Sequence, residues 1–579
     1  MQNQTNQTRQ MDWRLVGRVG GLAGIIALYT GAVGMVVTFD QRSLIVGWLT
    51  LGQALLFGAV FAGGYLLAHK TAETHSRNNQ LFGGLVAGAL AGLPMTAVLL
   101  LAQYINVRSV FVNISPALFN IVTLGYDTAG LGLFIGVTAV LGFLGAGVRI
   151  LPEGARRPLL TALIGVTLVG LLSELFNQIL RPMLGRQLMS QLILSNALRP
   201  MTALVLFVVI GGVSALWTAK GENVRQAIAD LPTVRRTQLT WGGRSLGILV
   251  LLTLPLFLGV YLSEVLDNVG LFILMGLGLN IAVGLAGLLD LGYVANYAIG
   301  AYIMAILTTT GGPGGEPIMS FWAALPFSVI GAMIAGFVFA LPVLRMRGDY
   351  LAIATLGFGE ITRILVLSDW MSPLIGGAQG ILFIPKPDLF GFVFRGPQQF
   401  YYIILAGCFL AVFVSWRLNN SRIGRKWMAI REDEDVAASM GINLVKTKVL
   451  AFTLSAAFGG LAGGIFAAKL GTVFPQSFTL LISINVLSLI LVGGMGSVIG
   501  VVLGAFVLVG LPELLREFAE YRLLLYGALL IVMMLVRPEG LWPSEARARE
   551  LHGDEEEPPI DEIPGGTGLE VEIETGVRP

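Results

Sequence analysis

The sequence predicts an all-α polytopic membrane protein with about sixteen transmembrane or re-entrant helices. Of its 579 residues, 55% are hydrophobic and only 12% are charged, and the mean hydropathy is +0.78. Soluble domains carry about 25% charged residues. Apolar runs of about 20 residues recur along the chain, and each is long enough to cross the ~30 Å hydrocarbon layer of a bilayer. The runs are continuous rather than alternating, which argues against a β-barrel.

The apolar segments give the predicted helices in chain order. Six lie in the first part of the chain, near 15–38, 44–68, 81–104, 128–148, 158–176 and 201–217. Ten lie in the second part, near 246–265, 269–290, 294–309, 321–344, 350–367, 400–416, 446–470, 480–493, 497–513 and 522–536. The 75 glycines favour close approach of neighbouring helices.

The distribution of Lys and Arg predicts the orientation, because cytoplasmic loops carry the excess of these residues. A cytoplasmic N-terminus places most basic loops inside, and the C-terminus then lies inside as well. Loop 177–200, which holds three arginines, departs from this pattern. The polar start is followed by a full-length span without a small-residue cleavage site, which predicts an uncleaved anchor.

Composition also predicts four regions. Residues 1–217 form an N-terminal membrane extension of about six helices, and the basic stretch 218–245 forms a cytoplasmic linker. A second membrane region occupies 246–543. The remainder, 544–579, contains eleven acidic residues and three arginines, a net charge of −8. With few large apolar groups to bury, this tail is predicted to be disordered.

The longest cluster of charge between apolar segments runs from Arg422 to Gly441. Good helix formers predict one helix over 425–441, and Gly441 is a natural stop. Ala437 and Ala438 would leave a flat surface on that helix. A charged helix between two membrane spans must lie at a membrane face. It is either an ordinary solvated loop helix or a surface that a soluble partner grips.

A few polar side chains lie inside apolar segments, where placing them in the membrane costs free energy. Asp290 is either a structural cap on the next helix, an interfacial carboxylate or part of a translocation path. Glu360 and Arg363, one helical turn apart, are either a local ion pair or a path lining. Asn280 and Asn296 either form interhelical hydrogen bonds or line the path.

Other features limit the chemistry of the chain. Gly496, Gly500 and Gly504 recur every four residues, which predicts tight packing of one helix face. The chain has one cysteine and three histidines, in loops or the tail, and we predict no metal site. It has no G-x-x-x-x-G-K-[ST] phosphate loop and no HExxH or G-x-S-x-G motif, so we predict no catalytic residues. Residues 1–217 have three candidate roles, which are packing, contact with a partner and regulation. No chemical feature of their sequence favours one of these roles.

The second membrane region contains motifs that occur in the order of a known family. They are GLGLN at 276–280, GLAGLLDLGY at 284–293, RGDYLAIATLGFGE at 347–360, GGAQG at 376–380, the run 431–441, GGMGS at 493–497 and RPEGL at 537–541. Residues 246–542 thereby resemble the permease subunits of ABC importers for branched-chain amino acids.

The resemblance implies an all-helical permease core of about ten helices and a coupling helix at 425–441 that docks on a cytoplasmic ATPase. Its candidate contact residues are Arg431, Glu432, Asp433, Glu434, Ala437, Ala438 and Gly441. In the broader importer pattern, Glu precedes the alanine pair and Gly follows after three residues. Here Val436 precedes the pair and Gly441 comes one residue early.

The resemblance also implies the partners and the cellular location. The chain would bind no cofactor and no nucleic acid, and ATP and Mg would bind to partner subunits. The partners would be a second permease, two ABC ATPase subunits, an extracytoplasmic substrate-binding protein and the lipid bilayer. The location would be the cytoplasmic membrane of a prokaryote.

The predicted function is ATP-driven import of leucine, isoleucine or valine. Urea or short amides are the alternative substrates, because urea importers use related permeases. A different class is an ion-coupled secondary transporter with Asp290 and Glu360 as coupling sites. An intramembrane enzyme is disfavoured by the lack of a catalytic constellation.

Overall fold

A computed structural model describes residues 11–72, 75–229, 233–309, 317–343, 346, 348–514 and 522–543. The predicted fold class is confirmed, because these residues are mostly helical with a few very short strands. Among them, twelve helices are long and apolar enough to cross a membrane, and two shorter apolar helices span Tyr293–Thr308 and Val498–Glu513. The predicted disordered tail, 544–579, lies outside the described residues. The protein is a multi-pass membrane protein.

The chain divides into two compact units, Met1–Phe257 and Leu258–Pro579. The limits predicted for the N-terminal extension and its linker stay a prediction. The first unit contains, in order, α1 (Trp13–Ala32), α2 (Met35–Asp40), β1 (Ser43–Ile45), β2 (Leu49–Thr50), α3 (Leu51–Lys70), α4 (Arg77–Tyr104), α5 (Pro116–Val122), α6 (Ala129–Ile150), α7 (Glu153–Leu171), α8 (Ser173–Leu192), β3 (Ile193–Leu194), β4 (Ala197–Leu198) and α9 (Pro200–Ala229).

Glycines bring four helices of the first unit together. Helices α1, α3, α4 and α6 pack on one another. A Cβ added to Gly64 of α3 would overlap the carbonyl oxygen of Gly142 of α6, and one added to Gly142 would overlap that of Gly84 of α4. The short strands form a sheet in the order β2-β1-β4-β3, in which only β1 and β4 are parallel. The high glycine content therefore serves helix packing here.

Helix α10 (Thr233–Leu279) contains the boundary between the units and bends where the sequence did not predict it. The sequence predicted one apolar segment near 246–265 and the next near 269–290. Instead the backbone leaves the helical conformation at Gly259, with φ 72° and ψ −172°, and 260–279 is helical. Glycine adopts this conformation without steric cost. Asp267 and Asn268 remain in the helix, where they lie near the Lys469 ammonium group, at 3.8 and 3.0 Å.

The second unit continues from α10 through a π-helical turn at Asn280–Leu285. Its remaining elements are α11 (Tyr293–Thr308), α12 (Phe321–Val343), α13 (Asp349–Leu367), α14 (Ser372–Ile375), β5 (Asp388–Leu389), β6 (Phe392–Val393), α15 (Pro397–Asn419), α16 (Arg422–Glu432), α17 (Glu434–Ser439), α18 (Leu444–Leu470), α19 (Leu480–Gly493), α20 (Val498–Ala505), α21 (Leu511–Leu514) and α22 (Arg522–Val536).

Helix α18 forms the centre of this unit and packs along α11 and α12. The contact is close because glycines face backbone on both sides. A Cβ on Gly463 would overlap the carbonyl oxygen of Tyr297, and one on Gly300 would overlap that of Gly460. Such backbone contact gives a rigid three-helix centre against which the remaining helices of the unit are arranged.

Candidate functional site

The charged segment forms two helices rather than the single helix predicted over 425–441. Helix α16 ends at Glu432, and α17 begins at Glu434. Between them Asp433 is extended, with φ −156° and ψ 116°, and its carboxylate accepts hydrogen bonds from the N–H groups of Asp435 (2.8 Å) and Val436 (3.0 Å). An acid in this position caps a new helix. The break therefore arises from the acidic run itself.

Gly441 ends the segment as predicted. It has φ +82°, and its N–H donates to the carbonyl of Ala438 at 3.0 Å while the N–H of Ile442 donates to Ala437 at 3.1 Å. This is the glycine-terminated helix end that the left-handed region allows. Because the chain turns sharply here, α17 is only six residues long.

Only one of the two small residues of α17 lies on the surface. Ala437 is buried, with 1% of its surface exposed, whereas Ala438 is exposed. Val436 and Met440 are 55% and 78% exposed. The expected flat alanine pair is therefore a single alanine flanked by two apolar side chains. This surface is apolar at its centre and acidic at its start, where Asp435 is exposed.

Both short helices are fixed to the first turns of α18. The side chain of Trp427 is fully buried, and its Nε1 donates to the carbonyl of Thr447 at 2.9 Å. The ammonium group of Lys448 lies 2.5 Å from a carboxylate oxygen of Glu434, and the Lys448 side chain is 5% exposed. A buried, hydrogen-bonded ion pair fixes geometry. Trp427 thus attaches α16, and Glu434 attaches α17, to the start of α18.

Arg431 joins the charged segment to the end of α10. Its Nη1 donates to the carbonyl oxygen of Gly284 at 2.9 Å, within the π-helical turn. A Cβ added to Gly287, which has φ +70°, would lie 3.0 Å from Cγ of Arg431. The same turn is held from the other side, because Oδ1 of Asn280 accepts from the N–H of Gly496 at 2.9 Å. Asn280 thus has a structural partner.

A broken segment follows the π-helical turn and precedes α11. Here the carboxylate of Asp290 accepts from the N–H of Gly292 at 3.0 Å, and the N–H of Leu291 donates to Oγ1 of Thr355 in α13 at 3.0 Å. The N–H of Val294 donates to Oγ of Ser483 in α19 at 3.0 Å. Asp290 is 4% exposed. It closes a local turn and does not cap α11, whose N-cap residue is Gly292 and whose second N–H group is bound by Ser483 instead.

This geometry gives a prediction for Asp290. We expect Asp290→Asn to unfold near the wild-type temperature, because an amide oxygen can still accept from the N–H of Gly292. Asp290→Ala should lose about 1–3 kcal/mol, since a buried donor loses its partner. Thermal unfolding of the purified protein checks both. Loss of uptake in a stable Asp290→Asn variant would show instead that transport needs the charge.

The other candidate path residues lie on α11 and α13. Asn296 is 4% exposed, and its Oδ1 has no hydrogen-bond partner among the described residues. On α13, Nε of Arg363 donates to both carboxylate oxygens of Glu360, each at 3.1 Å, and both side chains are about two-fifths exposed. The ion pair that the spacing allowed is therefore formed. A pathway role for these residues stays a prediction.

A small cavity lies where α11 and α13 meet. It has a volume of about 10 Å³ and is lined by Tyr302, Thr362 and Arg363 together with apolar residues. That volume is about the room one water molecule needs. The hydroxyl group of Tyr302 is buried without a described partner. The two helices are thus closely packed, and the few polar groups between them line this small cavity.

The three glycines predicted to share one helix face do not all lie on a helix. Gly496 lies in the turn before α20, with φ +78°. Gly500 and Gly504 lie on α20 and pack on the backbone of α19, at Gly493 and Leu489. The turn is also paired with the C-terminal segment, because the N–H of Leu541 donates to Val492 and that of Trp542 to Gly493, both at 2.8 Å.

Sequence reasoning missed a group of charges at the other end of α18. The Lys469 ammonium lies 2.8 Å from a Glu264 carboxylate oxygen, and the side chain of Asp267 is fully buried beside it. Lys386 donates to the carbonyl of Ala468 at 3.2 Å and to that of Lys469, and burial lowers the pKa of Lys386. A sequence feature that could have indicated this group is Lys469, a lysine near the end of a long apolar helix.

The loop that carries Lys386 is fastened to the same end of α18. Ile381 and Val473 form a β-bridge, and the N–H of Ile384 donates to the carbonyl of Gly471 at 2.9 Å. Within the described residues, no cluster of three His, Cys, Asp or Glu side chains is arranged to hold a metal ion.

Comparison with known proteins identifies the second unit. The family described as "Branched-chain amino acid transport system / permease component" matches residues 261–534. No solved structure matches the chain significantly.

The high-affinity branched-chain amino acid transport permease LivM of Escherichia coli is 45% identical over 296 residues, covering 47% of this chain and 68% of that protein. A probable LivM of Methanocaldococcus jannaschii is 27% identical over 331 residues, covering 49% of this chain and 94% of the relative. LivH of Salmonella typhimurium is 25% identical over 306 residues, covering 48% and 95%. These matches, the family motifs and the helical membrane fold together show that the chain belongs to the permease family of branched-chain amino acid ABC importers.

Proposed function

We propose that this chain forms the translocation path of an ATP-driven importer for branched-chain amino acids and receives force from separate ATPase subunits through α17. Its family makes the chain a transport subunit rather than an enzyme. The observation that carries the proposal is the short exposed helix α17, which is fixed to α18 and linked through Arg431 to the broken end of α10.

The surface of α17 suits a protein partner. It presents Val436, Ala438 and Met440 beside exposed acidic groups. Exposed apolar side chains on a rigid, charged protrusion are typical of sites that another protein covers. Because the chain itself has no phosphate loop, that partner would supply ATP hydrolysis with its bound Mg.

The contacts of Arg431 suggest how a movement of α17 reaches the path. A shift of the charged segment would pull on Gly284 and Gly287, which flank the unwound end of α10. The next residues, 288–292, contact α13 and lead into α11. Helices α11 and α13 form the narrow seam near Tyr302 and Arg363. Closure of an ATPase pair would thereby widen or narrow that seam, a two-state change.

The partners follow from the same proposal. One relative is named LivM and another LivH, and we propose that this chain pairs with a second permease of that family. The membrane would be the inner membrane of a prokaryote, with both termini of the chain on the cytoplasmic side. Helices α16 and α17 would lie on that same side, and two ATPases would bind there. A substrate-binding protein would deliver the amino acid at the other end of α18.

Uptake in cells tests the proposal. Leucine uptake should depend on this chain and should be lost when the partner ATPases are deleted. Uptake that persists without every such ATPase and stops with an uncoupler would support the ion-coupled alternative instead. Competition by isoleucine and valine, but not by urea, would support branched-chain amino acids as substrates.

Arg431→Met tests the internal link. Methionine keeps an apolar stem against Gly287 but cannot donate to Gly284. A hydrogen bond from a charged group contributes about 1.5–3 kcal/mol, so we expect uptake to fall roughly 10- to 100-fold while the ATPase still binds. Uptake and ATP hydrolysis measured in the same vesicles check this. Arg417→Met, which removes an exposed arginine at the end of α15, is the matched control and should transport normally. Equal uptake in both variants would contradict the link.

A further inference from the structure

Helix α16 exposes three cations on one face. Arg422, Arg425 and Lys426 are spaced i, i+3 and i+4, which places them side by side on a helix. All three are exposed, and none forms an ion pair with a described residue. Beneath them the apolar side chains of Trp427 and Ile430 are buried. We refer to Arg422, Arg425 and Lys426 as the basic face.

The electrostatics of the basic face are unfavourable as they stand. The three cations lie in the first two turns of α16, at the positive end of the helix dipole, and the first turn contains no acidic residue. Like charges at this spacing also repel one another. The neighbouring helix α17 is arranged oppositely, with Glu434 and Asp435 in its first turn. An anionic partner on the basic face would offset both penalties.

The C-terminal segment of the chain starts beside the same helix. Trp542 and Pro543 line a cavity of about 490 Å³ together with Met428 and Arg431 of α16. Trp542 is fixed there by the hydrogen bond from its N–H to the carbonyl of Gly493. Pro543 therefore lies close to the C-terminal end of α16.

The length and the charge of the C-terminal segment are both compatible with its binding to the basic face. Residues 554–557 are Asp-Glu-Glu-Glu, a run of four consecutive acidic residues. Ten residues lie between Pro543 and Asp554, and a coil of that length has an average end-to-end distance of about 18 Å. Arg431 and Arg422 are nine residues apart, which is about 14 Å along α16 and on opposite faces of a helix about 10 Å wide, so roughly 17 Å in all. The average span of the connection is therefore about equal to the distance that the acidic run must cover.

We propose that the acidic run Asp554–Glu557 binds the basic face of α16 within the same chain. Both partners belong to one polypeptide, so the effective concentration of the acidic run is high, of millimolar order for a short flexible connection. The contact is electrostatic and exposed, and salt weakens it. It goes beyond the proposed transport function, and its test needs no transport measurement.

Disulfide cross-linking of the full-length purified protein tests the contact. In a Cys408→Ser background, Lys426→Cys is combined with Glu556→Cys. The matched control combines Glu556→Cys with Ser439→Cys, an exposed position on the acidic helix α17. In an uncharged detergent at low salt, we expect several-fold more intramolecular disulfide for position 426 than for position 439. The difference should disappear near 1 M NaCl, where the Debye length falls to about 3 Å.

Charge neutralisation gives a second measurement on the same pair. Replacing the remaining acids by Asp554→Asn, Glu555→Gln and Glu557→Gln should lower the disulfide yield at position 426 to the control level. Equal yields at 426 and 439 at low salt, or a yield that the neutral tail leaves unchanged, would overturn the proposal.

Two further outcomes identify a different occupant. The measurement is repeated in vesicles of neutral phospholipid and in vesicles that contain anionic phospholipid. A disulfide at position 426 in both supports the proposal. Loss of the disulfide only with anionic lipid would show that lipid headgroups occupy the basic face and would overturn it. Disulfides formed only between two chains would assign the acidic run to a second copy, which also overturns it.

Discussion

Ala438→Trp is expected to abolish ATP-driven uptake while the protein still inserts into the membrane at normal levels. Ala438 is the exposed small residue of α17, between Val436 and Met440. An indole there would hold an ATPase surface away from the helix. Losing a central contact of an interface costs about 2–4 kcal/mol, which corresponds to roughly 30- to 1,000-fold weaker binding. Uptake and co-purification with the ATPase are the measurements.

The control for this variant places the same bulk on the neighbouring helix. Ile423 of α16 is 36% exposed, and Ile423→Trp should leave ATPase binding and uptake intact. If Ala438→Trp also transported normally, α17 would not be the docking surface, and the proposed route of force into the protein would fail. If both variants lost uptake, general damage to the charged segment would be the explanation.

Gly292→Ala is expected to destabilise the second unit by about 3 kcal/mol, the upper end of the usual cost of overpacking. An added Cβ would overlap the carbonyl oxygen of Thr355, which belongs to the backbone of α13 and cannot rotate away. Gly292 has φ −90°, so alanine is allowed there and the loss comes from the contact alone. The unfolding temperature and the yield of purified protein are the measurements.

A second glycine next to the same seam serves as the control. Gly357 of α13 has no heavy atom within 4 Å of an added Cβ. Because alanine is the better helix former by about 1 kcal/mol, Gly357→Ala should be as stable as the wild type or slightly more stable. A normal unfolding temperature for Gly292→Ala would show that the turn before α11 is not in backbone contact with α13 at Thr355.

The helices of this protein could be predicted from hydropathy because a bilayer requires long apolar runs. The turns were less predictable. Asp433 looked like one more residue of a charged helix, yet its carboxylate ends α16 and starts α17. Gly496 shared a four-residue spacing with Gly500 but lies in a turn. In both cases a local hydrogen bond or backbone conformation, rather than periodicity, decides the structure.

Pairing between distant segments was harder to predict. The sequence identified Arg431 as a contact residue for a partner, but its guanidinium also reaches Gly284, 147 positions earlier. Asp267 fell between the predicted segments 246–265 and 269–290, and nothing local indicated its partner Lys469, about 200 residues away. Glu360 and Arg363 were predictable as a pair since they are local. Spacing identifies local partners, whereas tertiary contacts depend on how the helices are arranged.

Helix α18 has 27 residues, a length of about 40 Å, and carries a different attachment at each end. At its start Thr447 and Lys448 hold α16 and α17, and at its end Ala468 and Gly471 hold the loop of Lys386. The attachments at both ends therefore belong to one continuous helix. If a substrate-binding protein and the ATPases bind at these two ends, as proposed, linkage requires reciprocity: the factor by which the loaded binding protein changes the affinity for nucleotide-bound ATPases equals the factor by which those ATPases change the affinity for the binding protein.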